Sequence, residues 1–448
     1  MQSPADAARA RRRPSARPGY AGDIAGIVAV AVVAIVAIGT GLVGRRLVED
    51  GVRLHLADGL LLRGPFEPAV SVWVVAPVAV ALVVLAARRW WRQGPWAWVL
   101  ATGWLGSLGW AVTLAGVRDG LSWQVLARPL TSRHEYLYDV PRVNGLGELL
   151  STYVQHVSAQ DADPWTTHVG GHPPGALAFF AGLEAIGLGG PVWAGLACIV
   201  AGSAAVPAVL IAVRACGDQE AARRVAPFLV LAPWAMWVAT SADALWTGTL
   251  AWAFAALTGA GRSRVLAVTA GLLAGLAAFG SYGVAPLGLL GLAIVAHQGT
   301  WRRIGWVASG ALAPLLAAGA AGFWWWQGLH ATALRVADGP SWHNRPYAYF
   351  VVAGLVVAAF AVGPAVVAAL PGVLRRPETR VLVLPVLVAI VIVDVTGMTK
   401  GEVERIWLPF YPWLTVAVAA LAPRRTGWWL AATAAWALLM QICVMTEW

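Results

Sequence analysis

Apolar stretches of about twenty residues, separated by short connections rich in arginine, recur along this chain from residue 24 to residue 445. About 20 apolar residues in a helix cross the hydrocarbon of a bilayer. Lipid offers backbone N–H and C=O groups no partner, so such stretches must satisfy themselves as helices. The spacing predicts spans at 24–43, 69–87, 96–117, 190–213, 225–240, 243–260, 264–281, 283–297, 304–326, 348–370, 380–397, 406–422 and 427–445, about thirteen in all. Of 448 residues, 59% are hydrophobic and only 12% charged, with a mean hydropathy of +0.68. Soluble proteins carry about 25% charged residues, so this chain lacks the polar surface that water would demand. The expected fold class is all-α: a polytopic integral membrane helical bundle whose long extracytoplasmic loop carries short juxtamembrane helices.

The net charge of +10 is arginine in short runs between apolar segments, and Lys400 is the only lysine. That is the marking of cytoplasmic loops rather than a nucleic-acid surface, and membrane lipids are the expected partners. With the N-terminus inside, the inner segments hold Arg9, Arg11, Arg12, Arg13, Arg17, Arg88, Arg89, Arg92, Arg214, Arg223, Arg224, Arg262, Arg264, Arg302, Arg303, Arg375, Arg376, Arg380, Arg424 and Arg425. These are 20 of the 32 Lys+Arg, in short loops. The expected location is the plasma (inner) membrane, multi-pass, with a cytoplasmic N-terminus. The same assignment puts seven of the eight histidines and most acids outside, Asp58 among them. The charge rule did not require that, because acids contribute little to it.

Four regions follow: a basic, disordered cytoplasmic tail over 1–22, N-terminal transmembrane helices over 23–117, an extracytoplasmic loop with interfacial helices over 118–189, and a transmembrane bundle over 190–448. Long loops tend to be functional. Residues after Pro173 and Pro174 are apolar but too few to span, and read as an interfacial or re-entrant helix. The odd cysteine count, three, argues against a disulfide framework.

Three motifs carry possible chemistry. In His134-Glu135-Tyr136-Leu137-Tyr138-Asp139 the two carboxylates suit general-base work; the plain alternative is a pair of solvated loop acids. In His168-Val169-Gly170-Gly171-His172-Pro173-Pro174 the glycines turn the backbone and the prolines fix it, holding His172 at the membrane surface. Lys400-Gly401-Glu402-Val403-Glu404-Arg405 places charge between two spans, where it is costly unless paired or functional. Arg405 suits a phosphate, and the alternative is local Glu404–Arg405 or Glu402–Lys400 neutralisation. Asp243, at the outer tip between two short spans, joins the same compartment. No HExxH, Walker or GxSxG pattern occurs, so neither metal nor cofactor is indicated, although histidines and acids of ligand type are present.

An acidic motif early in the first outer loop, followed by His172-Pro173-Pro174 opening a short helix, resembles the GT-C class of polytopic membrane glycosyltransferases. That class includes protein O-mannosyltransferases, aminoarabinose transferases and actinobacterial mannosyl- and arabinosyltransferases. Glu135, Tyr138 and His172-Pro173-Pro174 match its pattern, Ser241-Ala242-Asp243 resembles its middle region, and Arg345-Pro346-Tyr347 and Lys400–Trp407 resemble loops of actinobacterial members. Where the class has Asp before the Glu, this chain has His134, and two spans rather than one precede the span leading into the loop. The resemblance implies transfer of a sugar from a polyprenyl-phosphate donor, on the extracytoplasmic face and with inversion. Glu135 or Asp139 would be the base, and His172, Tyr138, Asp243, Arg345, Tyr347, Lys400, Glu404 and Arg405 would bind substrate. Two other readings stand beside it. A transporter or flippase would place polar groups at the bilayer midplane and show repeats, whereas here they gather at one face. The other is a non-catalytic protein of the same fold.

Overall fold

The computed structural model describes residues 20–56 and 61–445. Most of the basic tail, and Asp58, lie outside the described residues. Helices occupy every one of the thirteen apolar stretches, and the described residues contain no strand, only an isolated bridge between Phe66 and Val444. The molecule is an all-helical membrane bundle.

The helices are less uniform than the hydropathy pattern suggests. Among the described residues, four are long and apolar enough to cross a bilayer: Ile24–Glu49, Trp96–Ala115, Pro191–Cys216 and Trp301–Ala320. A fifth span results if Tyr347–Val362 and Pro364–Arg375, bent by 101° around Gly363, count as one. The other stretches are shorter or interrupted. Proline explains several breaks, because its ring displaces the preceding turn and it donates no N–H. Pro233 opens a 3₁₀ segment, Pro233–Trp237, after Gln219–Val230 ends, and Pro364 starts a new helix beyond the bend.

The core lies around Ala205–Cys216, Gln219–Val230, Pro233–Trp237, Asp243–Thr258 and Tyr411–Thr415, where most side chains are buried. Helix Ile24–Glu49 is peripheral and turns Ile24, Val28, Ile35 and Ile38 outward. Exposed aliphatics on such a helix are the expected lipid-facing surface.

Connections sort to two ends. At one, Arg223 donates to the carbonyls of Trp91 and Gly94, Gln298 donates to Ala215, and Arg376 pairs with Glu378. At the other, Arg118 donates to Gln441 and Ile442, Glu67 N–H donates to Cys443, and Arg345 donates to Lys400 and His55. Arginine-rich short loops therefore meet at one end, and most of the acid- and histidine-bearing loops at the other.

Candidate active site

The long loop is folded rather than slack. Short helices Trp123–Ala127, Leu146–Thr152 and Thr167–Gly170 alternate with 3₁₀ turns at Tyr136–Tyr138, Val140–Arg142 and Tyr153–His156. Its internal brace is Asp139, fully buried, whose Oδ1 accepts from Arg142 at 2.8 Å and whose Oδ2 accepts from Thr166 N–H at 2.8 Å. Arg142 also reaches Pro164 O and Asp163, and lies 4.3 Å over the Trp165 ring. Tyr153 OH donates 2.6 Å to Val169 O and lies 2.8 Å from His172 O. These bonds fix the backbone on both sides of His168. The helix Gly175–Ala185 then leads away, packed so closely on the end of Arg264–Gly280 that a Cβ on Gly175 would strike Phe279 O.

Glu135 occupies a different place. Its Oε1 lies 2.7 Å from His168 Nδ1, and its side chain is buried. His168 Nε2 lies 2.9 Å from Arg405 Nη2. A guanidinium can only donate, so Nε2 accepts and the ring proton sits on Nδ1, directed at Glu135. Arg405 Nη1 donates to Asp243 Oδ2 at 2.7 Å, and Nη2 donates to Glu402 Oε2 at 3.0 Å. Glu402 pairs in turn with Arg63, whose backbone N–H donates 3.0 Å to Glu404 Oε1. Four segments distant in sequence thus meet on one arginine and its partners.

The local backbone explains how the last segment contributes. Gly401 and Glu402 both have positive φ, +90° and 61°. Only glycine adopts that region freely, and the Gly401 Cα faces Leu56 and the Arg345 guanidinium. The turn opens the short helix Val403–Ile406, in which Glu402 and Arg405, three apart, face each other.

Electrostatics follow from enclosure and charge. Burial opposes ionisation of Glu135, but the His168 imidazole beside it and the Arg405 charge hold its carboxyl below the usual range. Burial likewise opposes Glu402, and the charges of Arg405, Arg63 and Arg345 overcome it, leaving the group at about 2. Glu404 is buried with far less help, and burial pushes it up to about 7. Its Oε2 has no hydrogen-bond partner among the described residues. Burial disfavours the charged form of Arg405, and Asp243, Glu402 and Glu135 more than compensate, raising its pKa. His172 Nδ1 lies 2.8 Å from His168 O, an acceptor only, so Nδ1 carries the proton. Burial lowers the pKa of His172, which leaves a neutral ring with an Nε2 lone pair.

The structure therefore brings Glu135, His172, Asp243, Glu404 and Arg405 together. Arg345 and Lys400 adjoin them: Arg345 donates to Lys400 O, and Lys400 Nζ donates to Trp342 O at 2.9 Å and Arg345 O at 3.2 Å. Lys400 thus takes backbone carbonyls and the Trp342 ring face, and Glu402 pairs with Arg63 and Arg405 instead of Lys400. Asp139 stands apart in its brace. Tyr138 is 64% exposed, while its neighbour Tyr136 is buried with its ring 6.0 Å from that of His172. Tyr347 is half-exposed and donates to Val395 O at 2.7 Å. Arg63, Tyr136, His168 and Glu402 were not among the site residues read from sequence. His168 stood in a motif already singled out, and Glu402 beside Arg405; nothing local marks Arg63. Among the described residues, no group of three or more His, Cys, Asp or Glu is arranged to hold a metal ion.

Two apolar grooves lie along elements that carry the cluster. One, of about 740 Å³, runs past Leu146, Gly175, Phe179, Trp246 and Phe279 on the His172 side. The other, of about 580 Å³, lies between the first helix and Tyr347–Val362, lined by Val36, Val43, Leu47, Pro346 and Tyr349 beside Arg345.

No protein-family model matches the chain. No curated protein sequence matches it either. Two solved structures align with it, both of ArnT from Cupriavidus metallidurans. The apo form has a TM-score of 0.42 and 18% identity, over 79% of this chain and 60% of that one. The form bound to undecaprenyl phosphate has a TM-score of 0.41 and 18% identity, over 80% and 62%. The chain thus spans about three-fifths of the length of the solved proteins it aligns with.

Proposed function

We propose that this chain is a membrane glycosyltransferase that moves a sugar from a polyprenyl-phosphate donor to an acceptor hydroxyl on the extracytoplasmic face. The observation that carries the proposal is the juxtaposition of a buried acid and a buried cation. Glu135 is linked through His168 to Arg405, with Arg63, Arg345 and Lys400 adjoining, and apolar grooves begin at Pro346 and at Gly175.

Glu135 is the general base. It takes the proton of the acceptor hydroxyl as that oxygen attacks the anomeric carbon. The carbon–oxygen bond to the phosphate breaks on the opposite face, so the anomeric centre inverts. The polyprenyl phosphate leaves with the bonding electron pair. Its growing charge is met by Arg345, whose Nε has no hydrogen-bond partner among the described residues, and by Lys400 and Arg405. The Nε2 lone pair of His172 accepts from a sugar or acceptor hydroxyl. The groove beside Arg345 takes the donor's isoprenoid chain, and the groove beside His172 takes an apolar part of the acceptor.

The test is transfer from a polyprenyl-phosphate sugar by Glu135→Gln and Asp139→Asn. Glu135→Gln should keep the fold and lower turnover by roughly 10²–10⁴. Asp139→Asn should lower the melting temperature and lose activity only in proportion to unfolding. Full transfer by Glu135→Gln would remove the base assignment, and loss of transfer by a fully folded Asp139→Asn would move it to Asp139.

A further inference from the structure

The arginine-rich end holds a further groove, which shares one lining residue, Leu273, with the groove on the His172 side. It has a volume of about 650 Å³ and lies between the ends of helices Ala205–Cys216 and Asp243–Thr258 and the first half of Arg264–Gly280. Binding sites for small amphiphiles fall in roughly this size range, about 300–1,000 Å³. Arg214 and Arg262 line it at one extremity, with Trp96 beside them. Arg214 lies 5.0 Å over the Trp96 ring. No carboxylate lines the groove, and among the described residues neither arginine makes an ion pair or a side-chain hydrogen bond. At the same end Arg223 is spent on two carbonyls and Arg376 on Glu378.

From the arginines the groove turns apolar in one direction. Leu266, Thr269 and Leu273 fall three and four residues apart, on one face of their helix. They carry the channel about 10 Å toward the middle of the bundle, at 1.5 Å per residue. Ile211, Trp252, Ala255 and Ala256 form the facing walls. Two cations without a carboxylate partner at the head of an apolar channel match the shape of a phospholipid. Basic pockets between spanning helices on the arginine-rich side bind anionic headgroups.

We propose that this groove is a binding site for one anionic phospholipid of the leaflet at the arginine-rich end, its phosphate between Arg214 and Arg262 and one acyl chain along Leu266 and Leu273. A soluble anion would satisfy the arginines but leave the channel walls unmatched.

Native mass spectrometry of the full chain, released from vesicles of equal parts phosphatidylglycerol and phosphatidylcholine, tests the site. The wild type should retain phosphatidylglycerol in preference by roughly 10–30-fold. R214Q/R262Q should fall to near parity, and R302Q/R303Q, at the same end but outside the groove, should keep the preference. Thr269→Trp plugs the channel and leaves both charges; it should lower retention of phosphatidylglycerol, and it decides the matter if R214Q/R262Q fails to fold. Excess inorganic phosphate should not displace the lipid. The proposal falls if R214Q/R262Q or Thr269→Trp retains phosphatidylglycerol as the wild type does. It falls equally if inorganic phosphate displaces the lipid, or if an isoprenoid lipid is retained in its place.

Discussion

Glu404 is the residue whose titration should be most visible in the folded protein. Burial raises its carboxyl to about 7 from an ordinary 4.5, so the folded state holds its proton more tightly than the unfolded state does. The associated stability is fully present below about pH 4.5 and is lost as pH rises through about 7, a contribution on the order of 3 kcal/mol. Melting temperature measured between pH 4.5 and 8 should therefore fall less steeply in Glu404→Gln than in the wild type. Identical slopes would mean that the carboxyl ionises as freely as one in water. Other residues show how far single positions could be read. Asp243 and Arg405 stood out because charge in an apolar context must be paired or functional, and they pair with each other at 2.7 Å. The partners of Glu402 did not follow from spacing, because neutralisation within the Lys400–Arg405 turn looked sufficient; the positive φ at Gly401 and Glu402 redirects that turn. Tyr136 and Tyr138 are equivalent as letters, and the 3₁₀ geometry of Tyr136–Tyr138 buries one and exposes the other.

Helices and turns hold these side chains, and Gly175 shows how little room they leave. A methyl group there would press on the carbonyl of Phe279, which is backbone and cannot swing aside. Gly175→Ala should cost about 1–3 kcal/mol through overpacking and should displace the turn carrying His172, so transfer activity should fall more than the loss of folded protein explains. Unchanged kinetics together with an unchanged melting temperature would show that the two helices separate without consequence. At this scale the sequence was informative about where helix occurs and poor about length. Hydropathy averages over windows, so it merges Gln219–Val230 with the 3₁₀ segment that follows and misses the 101° bend near Gly363. The short helix after Pro174 was legible because an apolar run of eleven residues, Gly175–Ala185, is too short to span.

For the whole molecule, arrangement of the connections at two ends is the property that both the site and the lipid groove depend on. Arginine counts pointed to it, whereas contacts between distant loops, such as Arg63 with Glu402, leave no periodic trace. Single cysteines at Ser158 and Arg89, introduced into a chain whose own cysteines are replaced, should label oppositely with a membrane-impermeant maleimide on intact cells. The position at Ser158 should react and that at Arg89 should not. Reaction at Arg89 with protection at Ser158 would turn the molecule over and remove the proposed donor chemistry.

One guanidinium, that of Arg405, ties together the long loop, the start of the helix at Asp243 and the turn at Glu402. A ribosome makes these parts in order. At about 5–20 residues per second, the 162 positions that separate Asp243 from Arg405 take roughly 8–30 s to emerge. Throughout that interval the nascent protein carries Glu135, His168 and Asp243 without the guanidinium that joins them.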